Sequence, residues 1–156
     1  MAMEKWIGGS GQGLPWGAAF GTEINSLANG NAILSSVAIT NGTSLDIFMD
    51  VDFIAGATET TAAPNFLSLF LYPLLHDGAT YGDGRFSSAA VGPPPGNYSA
   101  CPNISFAAAA STTIAGIFQR IVLPPGTFKC VLWNQSGTTL PSSNTMDYRT
   151  YNRSVA

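Results

Sequence analysis

Charge is the scarcest ingredient of this sequence. Of 156 residues only 10% are charged, six Lys+Arg against nine Asp+Glu, where a soluble domain ordinarily carries about 25%. No basic run occurs, which argues against a nucleic-acid binder that works by neutralising phosphates. Long apolar runs are missing too: nothing approaches the roughly 18 consecutive apolar residues of a membrane helix, and no membrane partner is expected. Met1–Gly17 lacks the basic start, apolar stretch and small-residue cleavage site of a secretion leader, so secretion is not expected. Histidine occurs once, at His76, and cysteine twice, at Cys101 and Cys130. There is no CxxC pair, no HExxH and no phosphate-binding GxxxxGK[ST] loop, so no metal or nucleotide cofactor is expected. Without secretion, the two cysteines read as buried thiols ahead of a disulfide. The Asn-x-Ser/Thr triplets at Asn41, Asn97, Asn103, Asn134 and Asn152 read as coincidence in a chain rich in Asn, Ser and Thr. Helical periodicity of useful length is absent as well.

What is there is apolar and turn-rich. Hydrophobic residues make up 46%, with 17 Gly and 10 Pro. The first thirty residues look irregular, and Gly8–Gly13 reads as a flexible linker between Trp6 and Trp16. Residues 1–30 are therefore expected to form an extended Gly-rich N-terminal arm. Residues 31–156 are expected to form the β-sandwich domain. A tryptophan on such an arm exposes much apolar surface. It either folds back on its own domain or docks on a neighbouring subunit.

From Ala32 the period becomes two. Ile33, Ser35, Val37 and Ile39 share one face, and the Asn41-Gly42 turn signal follows. Over Leu45–Ile54 the alternation is strict. Leu45, Ile47, Met49, Val51 and Phe53 lie on one face, and Asp46, Phe48, Asp50, Asp52 and Ile54 on the other. That is the pattern of a half-buried antiparallel strand. Phe66–Leu75 is nearly all apolar, with Pro73 at its end, and Gly92–Gly96 holds three prolines in a stiff loop. Ile104–Ala110, Thr112–Leu123, Thr127–Asn134 and Thr145–Arg153 read as further strands, the middle two joined by Pro124-Pro125-Gly126. Short strands separated by Gly/Pro turns predict an all-β sandwich or barrel.

The stretch Tyr72…Leu75-His76-Asp77-Gly78-x-x-Tyr81-Gly82-Asp83-Gly84, the hairpin Ile121–Gly137 with its Leu-Pro-Pro-Gly-x-Phe turn, and the final Asp147-Tyr148-Arg149-Thr150-Tyr151-Asn152 are together similar to small virion proteins of tailed bacteriophages. They resemble the jelly-roll cement or decoration proteins on the outside of the capsid, over about Ile33 to Asn152. The resemblance implies a jelly-roll-like antiparallel β-sandwich of about eight strands behind the N-terminal arm. It implies a structural role on the outer capsid surface of the virion, after synthesis in the host cytoplasm, with no catalysis. The implied partners are the major capsid protein and further copies of the chain, as homo-dimer or homo-trimer. The alternative is a carbohydrate-binding jelly-roll module of a phage adhesin or tail component, which calls for a row of exposed aromatics; Phe48, Tyr72, Tyr81 and Trp133 are its candidates.

Candidate site residues follow from residue chemistry. His76 beside Asp77 could be a base, but neighbours in a turn point apart, so it reads as a turn residue. Asp50 and Asp52 could bind Ca²⁺ or act as a carboxylate pair. The plainer reading of Asp46, Asp50 and Asp52 is a solvated strand face. Tyr148 and Tyr151 flank Arg149, and Tyr and Arg are enriched at protein interfaces. Arg also suits bidentate pairing with a partner's carboxylate. The expected interface residues are Trp6, Trp16, Arg149 and Tyr151.

Overall fold

The structure is a computed structural model. It describes residues 4–8, 16–59, 66–82, 92, 103–105 and 112–155, with backbone alone for 4–8, 59, 112 and 153–155. Among these residues the strands are β1 (Glu4–Gly8), β2 (Gly17–Ala18), β3 (Ala32–Asn41), β4 (Phe48–Glu59), β5 (Phe66–Pro73), β6 (Ile104–Ser105), β7 (Thr112–Val122), β8 (Gly126–Gln135) and β9 (Asp147–Val155). A 3-10 turn spans Thr22–Ile24. All strand pairs are antiparallel. One sheet runs β1-β9-β4-β7, with β2 also on β9; the other runs β3-β8-β5-β6. The domain is thus all-β, with two antiparallel sheets in a sandwich-like arrangement.

The pairing is nested. Leaving out the two-residue β2, the first strand pairs with the last, β3 with β8, β4 with β7 and β5 with β6. Successive pairs fall in alternate sheets, and β4–β9 and β5–β8 join them.

The core lies where the alternation places it. Met49, Val51 and Phe53 of β4, Ile114, Phe118 and Ile121 of β7, Leu67 and Leu69 of β5, and Phe128, Cys130 and Leu132 of β8 pack in one buried cluster. The four-stranded sheet buries its other face as well. Ala32, Leu34, Phe70, Tyr72 and Val131 form a second cluster, with Tyr81 and Trp133 packed against it. This explains why β5 is almost continuously apolar: both of its faces are largely covered. Gly82 lies against the Tyr72 ring so closely that a Cβ there would fall 2.2 Å from Cδ2.

Three expectations need correction. Leu45 and Ile47 do not share the buried face of β4. The strand begins only at Phe48, Leu45 sits at a left-handed φ of 47°, and the two side chains are 58% and 50% exposed. The buried Asn41 side chain holds this bend, accepting from Asp46 N and donating to the carbonyls of Asp46 and Pro124. Second, the segment ahead of residue 31 is not an arm outside the domain over its described part. The backbone of β1 pairs with β9, Trp6 opposite Arg153, and Ala19, Phe20, Ile24 and Leu27 lie in the main core. Residues that enter a core from loops carry no period, so the irregular sequence hid them. Third, Asp46 and Asp50 are not solvated. They are 2% and 5% exposed. Cys101, residues 9–13, Asp83 and Pro93–Pro95 lie outside the described residues, and so does the question of a Cys101–Cys130 bond; Cys130 is buried.

Candidate functional site

The outer face of the five-stranded sheet gathers most of the residues singled out from sequence. Alternation sends Met49, Val51 and Phe53 into the core, so Phe48, Asp50, Asp52 and Ile54 face outward. Register places Asp50 opposite Arg149 and Phe48 opposite Tyr151. The Arg149 guanidinium donates to Asp50 Oδ2 through Nε at 3.1 Å and a terminal nitrogen at 2.9 Å. The Tyr151 hydroxyl donates to Asp50 Oδ1 at 2.8 Å, and the Arg120 backbone N–H donates to the same oxygen at 2.9 Å. Arg149 also lies 4.7 Å over the Trp16 ring, and Arg120 lies 5.8 Å over Phe48, both within cation–π range.

Arg120 reaches this position through a bulge. Between the pairs Met49–Ile121 and Val51–Phe118, β7 carries one extra residue. Arg120 takes a left-handed φ of 56°, uncommon for a non-glycine residue and typical of bulges. The bulge turns its N–H onto Asp50. Asp46, just before β4, accepts from Thr150 Oγ1 and Asn152 Nδ2, and Asp52 Oδ1 accepts from Asp147 N. The acidic row is therefore a set of acceptors for the polar last strand.

Two titrations are displaced here. Burial, the hydrogen bond to Asp50 and the Asp50 charge push the Tyr151 hydroxyl up to about 12. Burial, helped by the Asp147 charge, raises Asp52 above the usual carboxylate value despite the Asp147 N–H it accepts.

The expected interface residues thus come together, apart from Trp6, of which only the backbone is described. Arg149, expected to seek a partner's carboxylate, finds one inside the chain. Tyr151 is 5% exposed, so it supports the surface rather than presenting it. Trp16 remains 41% exposed. Sequence reasoning missed the exposed Ile54, Ile117 and Val122. They lie along the β4–β7 seam, with Val122 opposite Phe48, Ile117 opposite Asp52 and Ile54 opposite Ala115. The cue was available in β7, whose apolar residues outnumber the positions one buried face can use.

Asp50 is engaged by three donor groups and offers no open carboxylate for a catalytic pair. His76 is exposed in the loop after β5, where Asp77 Oδ1 accepts from the Ala79 and Thr80 N–H groups. Among the described residues no three His, Cys, Asp or Glu side chains gather where they could hold a metal ion, and no helix is long and apolar enough to cross a membrane. The four aromatics considered for carbohydrate stacking do not form one row. Phe48 belongs to the five-stranded sheet, Tyr72 and Trp133 to the other, Tyr81 to a loop beyond it, and Tyr72 is fully buried. Compared with known protein families, characterised proteins and solved structures, the chain matches none.

Proposed function

We propose that this chain is a structural virion protein of a tailed phage. It binds the outer capsid surface as a cement or decoration protein and bridges major capsid subunits, and its fold is a jelly roll. The nested pairing supports the fold: pairing first with last and so inward, in alternate sheets, is the order obtained by rolling one long hairpin into a sandwich, as in capsid and lectin domains. The virion role rests on the resemblance of the Tyr72–Gly84, Ile121–Gly137 and Asp147–Asn152 segments.

The observation that carries the docking role is the outer face of the five-stranded sheet. Its Arg149 is already paired with Asp50. Docking therefore does not strip water from an unmatched charge at that point. Around the pair stand Trp16, Ile54, Ile117 and Val122, 41%, 48%, 37% and 69% exposed. Covering what remains exposed of the last three is worth about 4 kcal/mol, before the losses of association. Each copy bound across a junction stabilises the assembled shell by mass action.

The test is made on particles. Cross-linking and mass spectrometry of intact virions are expected to place Trp16, Ile54 or Ile117 against the major capsid protein. Particles assembled without the chain are expected to rupture at a temperature several degrees lower. Absence of the chain from purified virions, or identical rupture temperatures, overturns the proposal.

A further inference from the structure

A sheet edge is a row of unmatched backbone donors and acceptors, and folded proteins blunt or cover it. Three of the four edges of this sandwich show such treatment. At the β3 edge the strand bulges between Leu34 and Ala38. There the Glu23 carboxylate accepts from the Ser36 N–H and hydroxyl, and Ser35 Oγ donates to the Ala19 carbonyl. The Ser36 and Gly21 N–H groups outweigh the burial of Glu23 and hold its pKa below the ordinary value, so this cover stays ionised at neutral pH. The β6 edge is two residues long, and β1 is five residues long and includes Glu4 and Lys5.

β7 is different. Its lower part is broken by the Arg120 bulge, and between the pairs Ile54–Ala115 and Thr58–Thr113 the neighbouring β4 carries extra residues, but β7 itself runs unbroken over Thr112–Phe118, Thr-Thr-Ile-Ala-Gly-Ile-Phe, with no charge and no proline. Among the described residues no strand or loop backbone bonds to its outer side; its ladder partner is β4 alone. Thr113, Ala115 and Ile117 are exposed beside this edge, next to Ile54 across the seam.

We propose that the Thr112–Phe118 edge of β7 pairs antiparallel with the same edge of a second copy of this chain across a two-fold axis, joining two five-stranded sheets into one. A second copy fits for three reasons. An antiparallel edge is its own complement under a two-fold, because each strand meets the other in the reverse direction. The seam brings no like charges together: with the axis near Ala115 the two Arg120 residues stand ten positions apart, about 33 Å and well beyond screening range. And Ile117 and Ile54 of both copies then form one continuous apolar strip over the seam. A seven-residue edge is about 23 Å long, which with its flanking side chains lies at the small end of specific interfaces. The expected dissociation constant is therefore in the micromolar range. This pairing does not depend on the shell role. A chain absent from virions could still dimerise, and a monomeric chain could still coat a capsid.

The test uses the full chain in solution. Light scattering after size exclusion, from about 1 to about 100 µM, is expected to show the mass rising from 16.2 kDa towards twice that value. Hydrogen exchange is expected to slow in Thr112–Phe118 as the dimer forms. Ile117→Lys puts a charge into the apolar strip over the seam, where pairing would have to desolvate it, and is expected to weaken association about 100-fold, with an unchanged unfolding midpoint at dilutions where both chains are monomeric. Leu75→Lys, an exposed site at the end of the other sheet, is expected to leave the dimer intact. Should Ile117→Lys fail to fold, the exposed Ala115→Lys serves instead. A monomer throughout the range, or a dimer that survives the seam substitution, overturns the proposal.

Discussion

Replacing Asp50 by alanine tests whether β9 is held by side chains as much as by its ladder. The carboxylate is 5% exposed and accepts from Arg149 twice, from Tyr151 and from the Arg120 N–H. The ion pair alone contributes modestly, since the Arg149 side chain is 30% exposed and such pairs are worth about 1 kcal/mol or less. The larger loss is the acceptor of a buried Tyr151 hydroxyl and of a strained bulge N–H, each costing about 1–2 kcal/mol once unmatched. Asp50→Ala is therefore expected to destabilise by about 3 kcal/mol, lowering the melting midpoint by about 6–12 °C for a domain of this size. Asp50→Asn keeps an Oδ1 acceptor for Tyr151 and Arg120 but sets an NH2 donor against the Arg149 guanidinium, losing both of its hydrogen bonds with the charge; Arg149 is partly exposed and can turn to water, so the cost is expected to be about 1 kcal/mol. Urea unfolding followed by tryptophan fluorescence measures both, because Trp16 lies against Arg149. The reasoning is refuted if Asp50→Ala costs under about 0.5 kcal/mol, the range of an ordinary surface change, or if the two variants are equal.

Further predictions concern titration and close approach. Tyr151 ionises at about 12 in the fold, against 10.0 for the free side chain. Its contribution is therefore complete below pH 10 and lost as pH rises through about 12. Tyr151→Phe is expected to cost about 1.5 kcal/mol at pH 7 and to flatten the alkaline decline in chemical-denaturation curves. Asp52 is raised above its ordinary 3.8, so its stabilising contribution exists below that pH and is lost as the group ionises. Asp52→Asn, which keeps the acceptor for Asp147 N, is expected to raise the midpoint at pH 7 by about 1–2 °C, an advantage that disappears in scans below pH 3.8. Gly56→Ala would set a methyl 2.1 Å from the Ser142 carbonyl oxygen, a backbone atom. Calorimetry is expected to show a loss of about 2–3 kcal/mol.

Apolar stretches set off by the Pro124-Pro125-Gly126 turn were enough to find β7 and β8 nearly to their ends, and the nearly continuous apolar run from Phe66 marked β5 as a strand, though not that both of its faces are covered. What alternation could not carry was the meaning of the opposite face. Asp46, Asp50 and Asp52 look like a wetted row from their own strand alone. Only register with Arg149, Tyr151 and Asn152, some hundred residues later, makes them acceptors. The left-handed turns at Leu45 and Arg120 were equally silent, since neither residue type advertises a positive φ. Ile24 and Leu27 entered the core from a loop and left no periodic trace. Of the residues on the outer face, Arg149 and Trp16 were found by residue type; Ile117 and Val122 left a cue in the surplus of apolar residues in β7, and Ile54 joins them only when β4 and β7 lie side by side.

The first-with-last order of pairing also sets a timetable for synthesis. Glu4 waits for Val155, so a chain leaving the ribosome holds β1 without a mate until about 150 further residues have emerged. The innermost partners, β5 and β6, can meet long before. Assembly from the middle outward, with such distant contacts closing last, predicts slow maturation and a long interval in which bare strands need shielding by chaperones.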